Sequence, residues 1–185
     1  MFDLTLSRNL EDVGRVHGHL RVEGFRRLVL FGSSMGGGTA LWYAAFHPND
    51  IAATVLIAPA VDMEAELVGR LGPAATRRWE RDGHYRFEHE LGSHDVGWTL
   101  IEDLRTFQLH RLRQLYRTPT LVFQGKHDDS VSWRSVVDFV TSCAYEKIAL
   151  HLMADGDHRL LGRLDELWRM TADFLAARGL VPHPR

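Results

Sequence analysis

Apolar positions along the chain recur first with a helical period and then in short unbroken runs. Leu6, Leu10, Val13, Val16 and Leu20 fall three or four apart, which predicts an amphipathic helix over residues 7–20 despite Gly14 and Gly18 in its interior. Leu28, Val29, Leu30 and Phe31 form an apolar run that predicts a strand. Residues 35–46 then predict a helix stopped by Pro48, and residues 53–58 a second strand closed by Pro59. Strand, helix and strand in so short a span imply a right-handed crossover and parallel pairing. Further strands are expected at residues 119–124 and 147–153, with a helix at 131–143 between them. A last helix at 161–177 carries Leu161, Leu164, Leu167, Trp168, Phe174 and Leu175, a set expected to pack on one sheet face. The pattern predicts an α/β protein of three layers, with helices on both faces of a mostly parallel sheet.

Between Pro59 and Thr118 the alternation is interrupted. Helices are expected at 64–71 and around 74–81, then a polar strand pair near 85–89 and 97–100, then a helix at 102–116. We read residues 62–117 as a small cap inserted into a single domain spanning residues 1–185.

Composition narrows the function classes. The chain has 185 residues, 45% of them hydrophobic, enough for a core of its own. A formal net charge of −2 with scattered arginines supplies no basic field, so no nucleic-acid partner is expected. The single cysteine, Cys143, excludes an internal disulfide framework and reads as a buried free thiol. No run approaches the length of a membrane span, and residues 1–20 lack a basic-then-apolar signal, so the expected location is cytoplasmic.

The segment RLVLFGSSMGG, residues 27–37, carries the strongest chemical signal. It places Ser34 on a strand-to-helix turn, flanked by Gly32 and Gly36, where a Cβ is expected to collide with a neighbouring element. Such a turn exposes the hydroxyl and sets the Met35 N–H and the positive helix end beside it, an arrangement able to stabilise an oxyanion. By itself a G-x-S-x-G match is weak, because a glycine-rich turn is its ordinary explanation. Two nucleotide-binding readings fail. No Lys follows the glycines to reach a phosphate, and the next apolar run ends in Ala58-Pro59-Ala60 instead of the acidic residue that holds a ribose hydroxyl.

A serine hydroxyl needs a base, and the base needs a carboxylate to fix its tautomer. Asp128 follows the strand at 119–124 and His158 follows the strand at 147–153, both at the sheet edge that also carries Ser34. Asp129 and Asp62 are rival acids. Their ordinary reading is as helix caps, Asp62 ahead of the helix starting near Met63. His127 is the next candidate base, but as a neighbour of Asp128 in an extended loop it should point away. Of the eleven histidines the rest read as ordinary. His17 and His19 face different sides of a helix, and His84, His89 and His94 lack metal-binding spacing, so neither a metal nor a cofactor is expected.

The elbow Gly32-Ser33-Ser34-Met35-Gly36-Gly37, the loop Gly125 to Trp133 and the loop Gly156-Asp157-His158 together resemble the α/β-hydrolase superfamily, whose triad runs nucleophile, acid, histidine. The resemblance extends from about Leu4 to the C-terminus. It looks most like small-cap esterases and acyl-protein thioesterases of the alpha/beta hydrolase domain-containing protein 10 type, with which it shares the tryptophan after the acid loop and a short hairpin insertion. Within the pattern G-x-x-D-x-x-V the acid is Asp128. The resemblance implies Ser34 as nucleophile, His158 as base, Asp128 as its partner, Met35 as an oxyanion donor, and a small-molecule ester or thioester as substrate. Met63, Leu67, Trp79, Trp98 and Trp133 would then line an apolar acyl pocket, although tryptophans also read as core packing.

In that superfamily several strands precede the elbow, and a loop after the third supplies a second oxyanion donor. Only 33 residues precede Ser34 here, so those strands and that donor are not expected, and the fold is read as a truncated form. The strand containing Leu28 and Phe31 would lie at an open edge, a template for association. Three readings stay open: a chain that starts within a longer hydrolase, a short form that dimerises through that strand, and a non-catalytic interaction protein that keeps the elbow as architecture.

Overall fold

Parallel strand pairing organises the molecule, seen here in a computed structural model that describes residues 3–89 and 92–182. The chain begins with α1 (Leu6–Val22), then β1 (Leu28–Ser33), α2 (Met35–Phe46) and β2 (Ile51–Ile57) form the expected parallel crossover. Next come α3 (Met63–Asp82), the hairpin β3 (His84–His89) and β4 (Gly92–Gly97), and two short helices, α4 (Thr99–Leu104) and α5 (Leu109–Leu115). β5 (Thr120–Gly125), α6 (Trp133–Ser142), β6 (Ile148–Met153) and, after a 3₁₀ turn, α7 (Leu164–Ala176) complete the chain. The sheet order is β1-β2-β5-β6, all parallel, so every carboxyl end opens on one edge.

Strand alternation sorts the core into two faces. Leu56 and Val122 face the larger core built on α2, whereas Val55, Leu121 and Phe123 face α7. Helix α2 is buried from Gly37 to Ala45, which explains why its sequence is apolar all round instead of striped. At the base of the sheet Thr54, Tyr116 and Thr120 join hydroxyls at 2.6–2.8 Å, and burial pushes the Tyr116 hydroxyl far above its ordinary range.

Several expectations are corrected. In α1 the inward position is His17, not Val16. His17 continues the Leu6, Leu10, Val13 spacing and satisfies its ring through the Tyr43 hydroxyl at 2.7 Å, leaving Val16 61% exposed. The two helices expected at 64–71 and 74–81 are one element, α3, broken at Gly72 (φ 73°, ψ 170°) ahead of Pro73. The hairpin partner of β3 is β4, and 99–104 is helical because Leu100, Ile101 and Leu104 bury one helix face. The helix expected at 102–116 splits where the Thr106 hydroxyl donates to the Asp103 carbonyl at 2.7 Å and Phe107 turns onto Trp42. Along the last helix Leu167, Phe174 and Leu175 are buried, but Leu161, Leu164 and Trp168 face outward. Leu161 belongs to the 3₁₀ turn, which resets the helical phase, and Trp168 sits one residue, about 100°, around from Leu167. Cys143 is half-buried, with its thiol 3.5 Å from the Arg113 carbonyl. Among the described residues no helix is long and apolar enough to cross a membrane.

Strand β1 ends the sheet among the described residues, and Phe31 on it is 58% exposed. An unpaired apolar edge templates strand addition. We expect the purified protein to show concentration-dependent association in light scattering, and Phe31→Lys to suppress it. A monodisperse monomer at every concentration would contradict this.

Candidate active site

Ser34 stands one residue past β1 with a left-handed backbone (φ 53°, ψ −122°), a costly conformation for a residue with a Cβ. Three bonds fix it there. Its N–H donates to the Ile57 carbonyl at 3.0 Å, and its own carbonyl accepts from the Gly38 N–H at 3.1 Å and the Ala60 N–H at 3.0 Å. A Cβ on Gly32 would sit 2.5 Å from the Gly36 carbonyl oxygen, so the tight turn requires a glycine there. Gly36 differs from expectation, because a Cβ at that position meets nothing within 4 Å. The second crowded position is instead Gly37, which lies against Pro59, with 2.8 Å from its would-be Cβ to the Pro59 Cα. Met35 opens α2, so its N–H has no acceptor within the helix and points from the helix end beside Ser34.

Asp128 lies three residues beyond β5, its side chain wholly inaccessible. Its Oδ1 accepts the Ser130 and Val131 N–H groups at 2.9 and 2.8 Å, its Oδ2 accepts from Gln124 Nε2 at 2.9 Å, and His158 Nδ1 stands 2.9 Å from both oxygens. Burial raises this carboxyl, but the hydrogen bonds from His158, Val131, Ser130 and Gln124 together outweigh it and hold the group below the usual carboxylate range. A buried charge so satisfied is a fixed anion beside His158. Asp129 is exposed and, among the described residues, accepts the Ser130 hydroxyl at 3.0 Å. The N-cap of α6 is Ser132, so the expectation of Asp129 as a cap is corrected. Asp62 does cap a helix, accepting from the Ala65 N–H at 3.2 Å. His127 is exposed, its N–H spent on the Gly156 carbonyl.

Three residues given no role from the sequence alone hold the acid and histidine loops together. Gly125 and Gly156 cross so closely that a Cβ on Gly125 would fall on the Gly156 carbonyl and 2.5 Å from the Asp157 carbonyl oxygen. Gln124, buried within β5, reaches Asp128. A polar residue closing an apolar strand is the signal that could have found it.

Ser34 sits between two cavities. One of about 230 Å³ is lined by Ser34, Met35, Met63, Leu67, Leu100 and Val131, with Phe87 and Val96 from the hairpin. The other, about 750 Å³, holds Ser34 and His158 beside Arg70, Arg86, Phe87, Glu88 and Arg159. Met63 and Leu67 therefore stand where the sequence placed them, whereas the three tryptophans line neither cavity. Trp79 is fully buried inside the hairpin layer, 5.5 Å from Trp98 and donating to the Val96 carbonyl at 3.0 Å. Trp98 packs under Arg105, and Trp133 lies under Arg134 and Lys126, 4.3 and 5.6 Å from its ring. Each ring finds its packing and a cation or acceptor away from Ser34.

Comparisons with known proteins bear on the family and the fold. The model of an uncharacterised protein family, UPF0227, matches residues 10–175. Among solved structures, a protein designated a hydrolase from Agrobacterium vitis superposes with a TM-score of 0.78 at 28% identity, covering 97% of this chain and 69% of that one. Est1E from Butyrivibrio proteoclasticus superposes at 0.79 with 18% identity, covering 97% and 73%. Alpha/beta hydrolase domain-containing protein 10 from mouse superposes at 0.78 with 22% identity, covering 95% and 71%. The fold is that of the α/β-hydrolase superfamily, and its solved neighbours include esterases and lipases. No curated protein matches the chain in sequence.

Proposed function

We propose that this chain, which belongs to the uncharacterised protein family UPF0227, is a serine hydrolase that cleaves carboxylic esters or thioesters through an acyl-enzyme on Ser34. The carrying observation is the Asp128–His158 pair at 2.9 Å, whose histidine lines the same cavity as Ser34, a half-buried serine with a strained backbone at the same sheet edge. In this reading Asp128 accepts the Nδ1–H of His158, leaving the Nε2 lone pair to take the Ser34 proton. The Ser34 oxygen attacks the acyl carbon, and the developing oxyanion meets the Met35 N–H at the head of α2. His158 returns the proton to the departing alcohol or thiol, and a water activated by the same histidine then releases the acid. The acyl group fits the apolar cavity of Met63, Leu67 and Leu100, under the insertion between β2 and β5 that acts as a cap.

A fluorophosphonate probe tests the nucleophile directly. Covalent labelling at pH 8 mapped to Ser34, and lost in Ser34→Ala, is the expected result. A folded protein that stays unlabelled would favour a non-catalytic interaction module, and labelling of Ser34→Ala would overturn the assignment.

A further inference from the structure

Both cavities at Ser34 share one cation, Arg70 on α3. Its guanidinium carbon lies 6.0 Å from the Phe87 ring centre, and among the described residues it joins no carboxylate. Glu66, one turn earlier on α3, would be its ordinary i, i+4 partner. That carboxylate is instead bound to the Ser132 N–H at 3.2 Å and the Ser135 hydroxyl at 2.5 Å. Nearby arginines are neutralised differently. Arg86 forms a two-pronged bond to Asp95 at 2.9 Å, and Arg105 a single bond to Glu64 at 2.9 Å. Arg86 and Arg159 also line the larger cavity, beside Arg70 and Glu88.

The two cavities differ in a way that assigns substrate halves. His158 lines only the larger one. The group that receives the histidine's proton must stand on the histidine's side, so the departing alcohol or thiol belongs in the larger cavity and the acyl chain in the smaller, mostly apolar one, with Arg70 lining both. Building on the serine-hydrolase reading, we propose that Arg70 binds an anion on the leaving group, so that the substrates are esters or thioesters whose alcohol or thiol portion carries a phosphate or carboxylate. The planar guanidinium suits either oxyanion through paired N–H donors.

The test uses three thioesters of one acyl group, the S-butyryl esters of mercaptoethanol, mercaptopropionate and mercaptoethyl phosphate, with release of thiol as the common readout. For the wild type, kcat/KM should favour the anionic thioesters over the neutral one, and added salt should narrow the difference. Arg70→Gln should reduce that preference by about 10- to 100-fold, the scale of a charge-assisted hydrogen bond, chiefly through KM. Arg70→Lys should restore part of it. A larger loss for mercaptoethyl phosphate points to phosphate recognition, and a larger loss for mercaptopropionate to carboxylate recognition. A wild type that hydrolyses all three without preference, or a preference unchanged in Arg70→Gln, overturns the proposal while leaving the serine-hydrolase reading intact. Failure to hydrolyse any of them together with no fluorophosphonate labelling overturns both.

Discussion

Asp128→Asn should lower kcat by about 10⁴-fold while the protein stays folded, a result checked by steady-state kinetics beside a melting curve. The size follows from which atoms an asparagine can present. Two backbone N–H groups, from Ser130 and Val131, point at Oδ1, so the amide must keep its oxygen there. Its NH2 then occupies the Oδ2 position, facing His158 Nδ1 and the Gln124 side chain. A donor at that point favours the His158 tautomer whose proton sits on Nε2, which removes the lone pair that should receive the Ser34 proton. The substitution thus changes the base's tautomer more than its position. Activity restored to within tenfold of wild type would show that Asp128 is structural only.

The same carboxylate has a pH signature in stability. Its value in the folded protein lies below the ordinary 3.8, so the unfolded chain binds more protons between the two values and stability rises with pH across that window. The wild type's stability advantage over Asp128→Asn should be complete above about pH 4 and should shrink as the pH falls through the lowered value. Denaturation measured at neutral pH and at successively lower pH reads this directly.

Periodicity and turn chemistry made the sheet legible before the structure. Residues 35–46 are bounded by an elbow and a proline, and α2 has those limits. The loops carrying Ser34, Asp128 and His158 were legible for the same reason, since an apolar run that stops marks a strand end. What the sequence concealed depends on partners distant in the chain. Val16 and His17 are interchangeable by spacing until Tyr43 supplies a hydroxyl to the histidine. Trp79, Trp98 and Trp133 carry enough surface to wall a pocket or fill a layer, and only packing decides it: α3 on the hairpin and α4 for Trp79 and Trp98, and the cations of Lys126 and Arg134 for Trp133. Gly36, part of the G-x-S-x-G pattern, faces open space, while Gly37 just outside it does not, because the crowding atom belongs to Pro59. Short-range pattern placed Ser34, Asp128 and His158 at strand ends, and long-range contact decided what surrounds them.

The most disruptive single methyl group should be the one in Gly125→Ala. Its Cβ would overlap the Gly156 carbonyl and lie 2.5 Å from the Asp157 carbonyl oxygen, both backbone atoms that no rotamer change can move aside. Gly156 has no slack to give, for Leu160 packs on its other side and Gly125 Cα is 3.0 Å from its own would-be Cβ. The loop of His158 must therefore shift away from the end of β5, and the bonds broken first are those joining the two loops: His127 N–H to the Gly156 carbonyl at 2.8 Å and His158 to Asp128 at 2.9 Å. Overpacking of this kind costs about 1–3 kcal/mol, and for a domain of this size each kcal/mol lowers the melting temperature by about 2–4 °C. The catalytic effect should be larger than the stability effect. An ångström of misplacement costs about 10²-fold, so turnover should fall by at least that factor even well below the melting point, and fluorophosphonate labelling of Ser34 should slow in parallel. Gly36→Ala is the control, since its methyl group enters open space at the start of a helix and alanine is the better helix former there. Equal loss of activity in both variants would mean that glycine flexibility, not the Gly125–Gly156 crossing, governs the site. Loss confined to Gly125→Ala would show that the distance between His158 and Asp128 is set by two residues with no side chain at all.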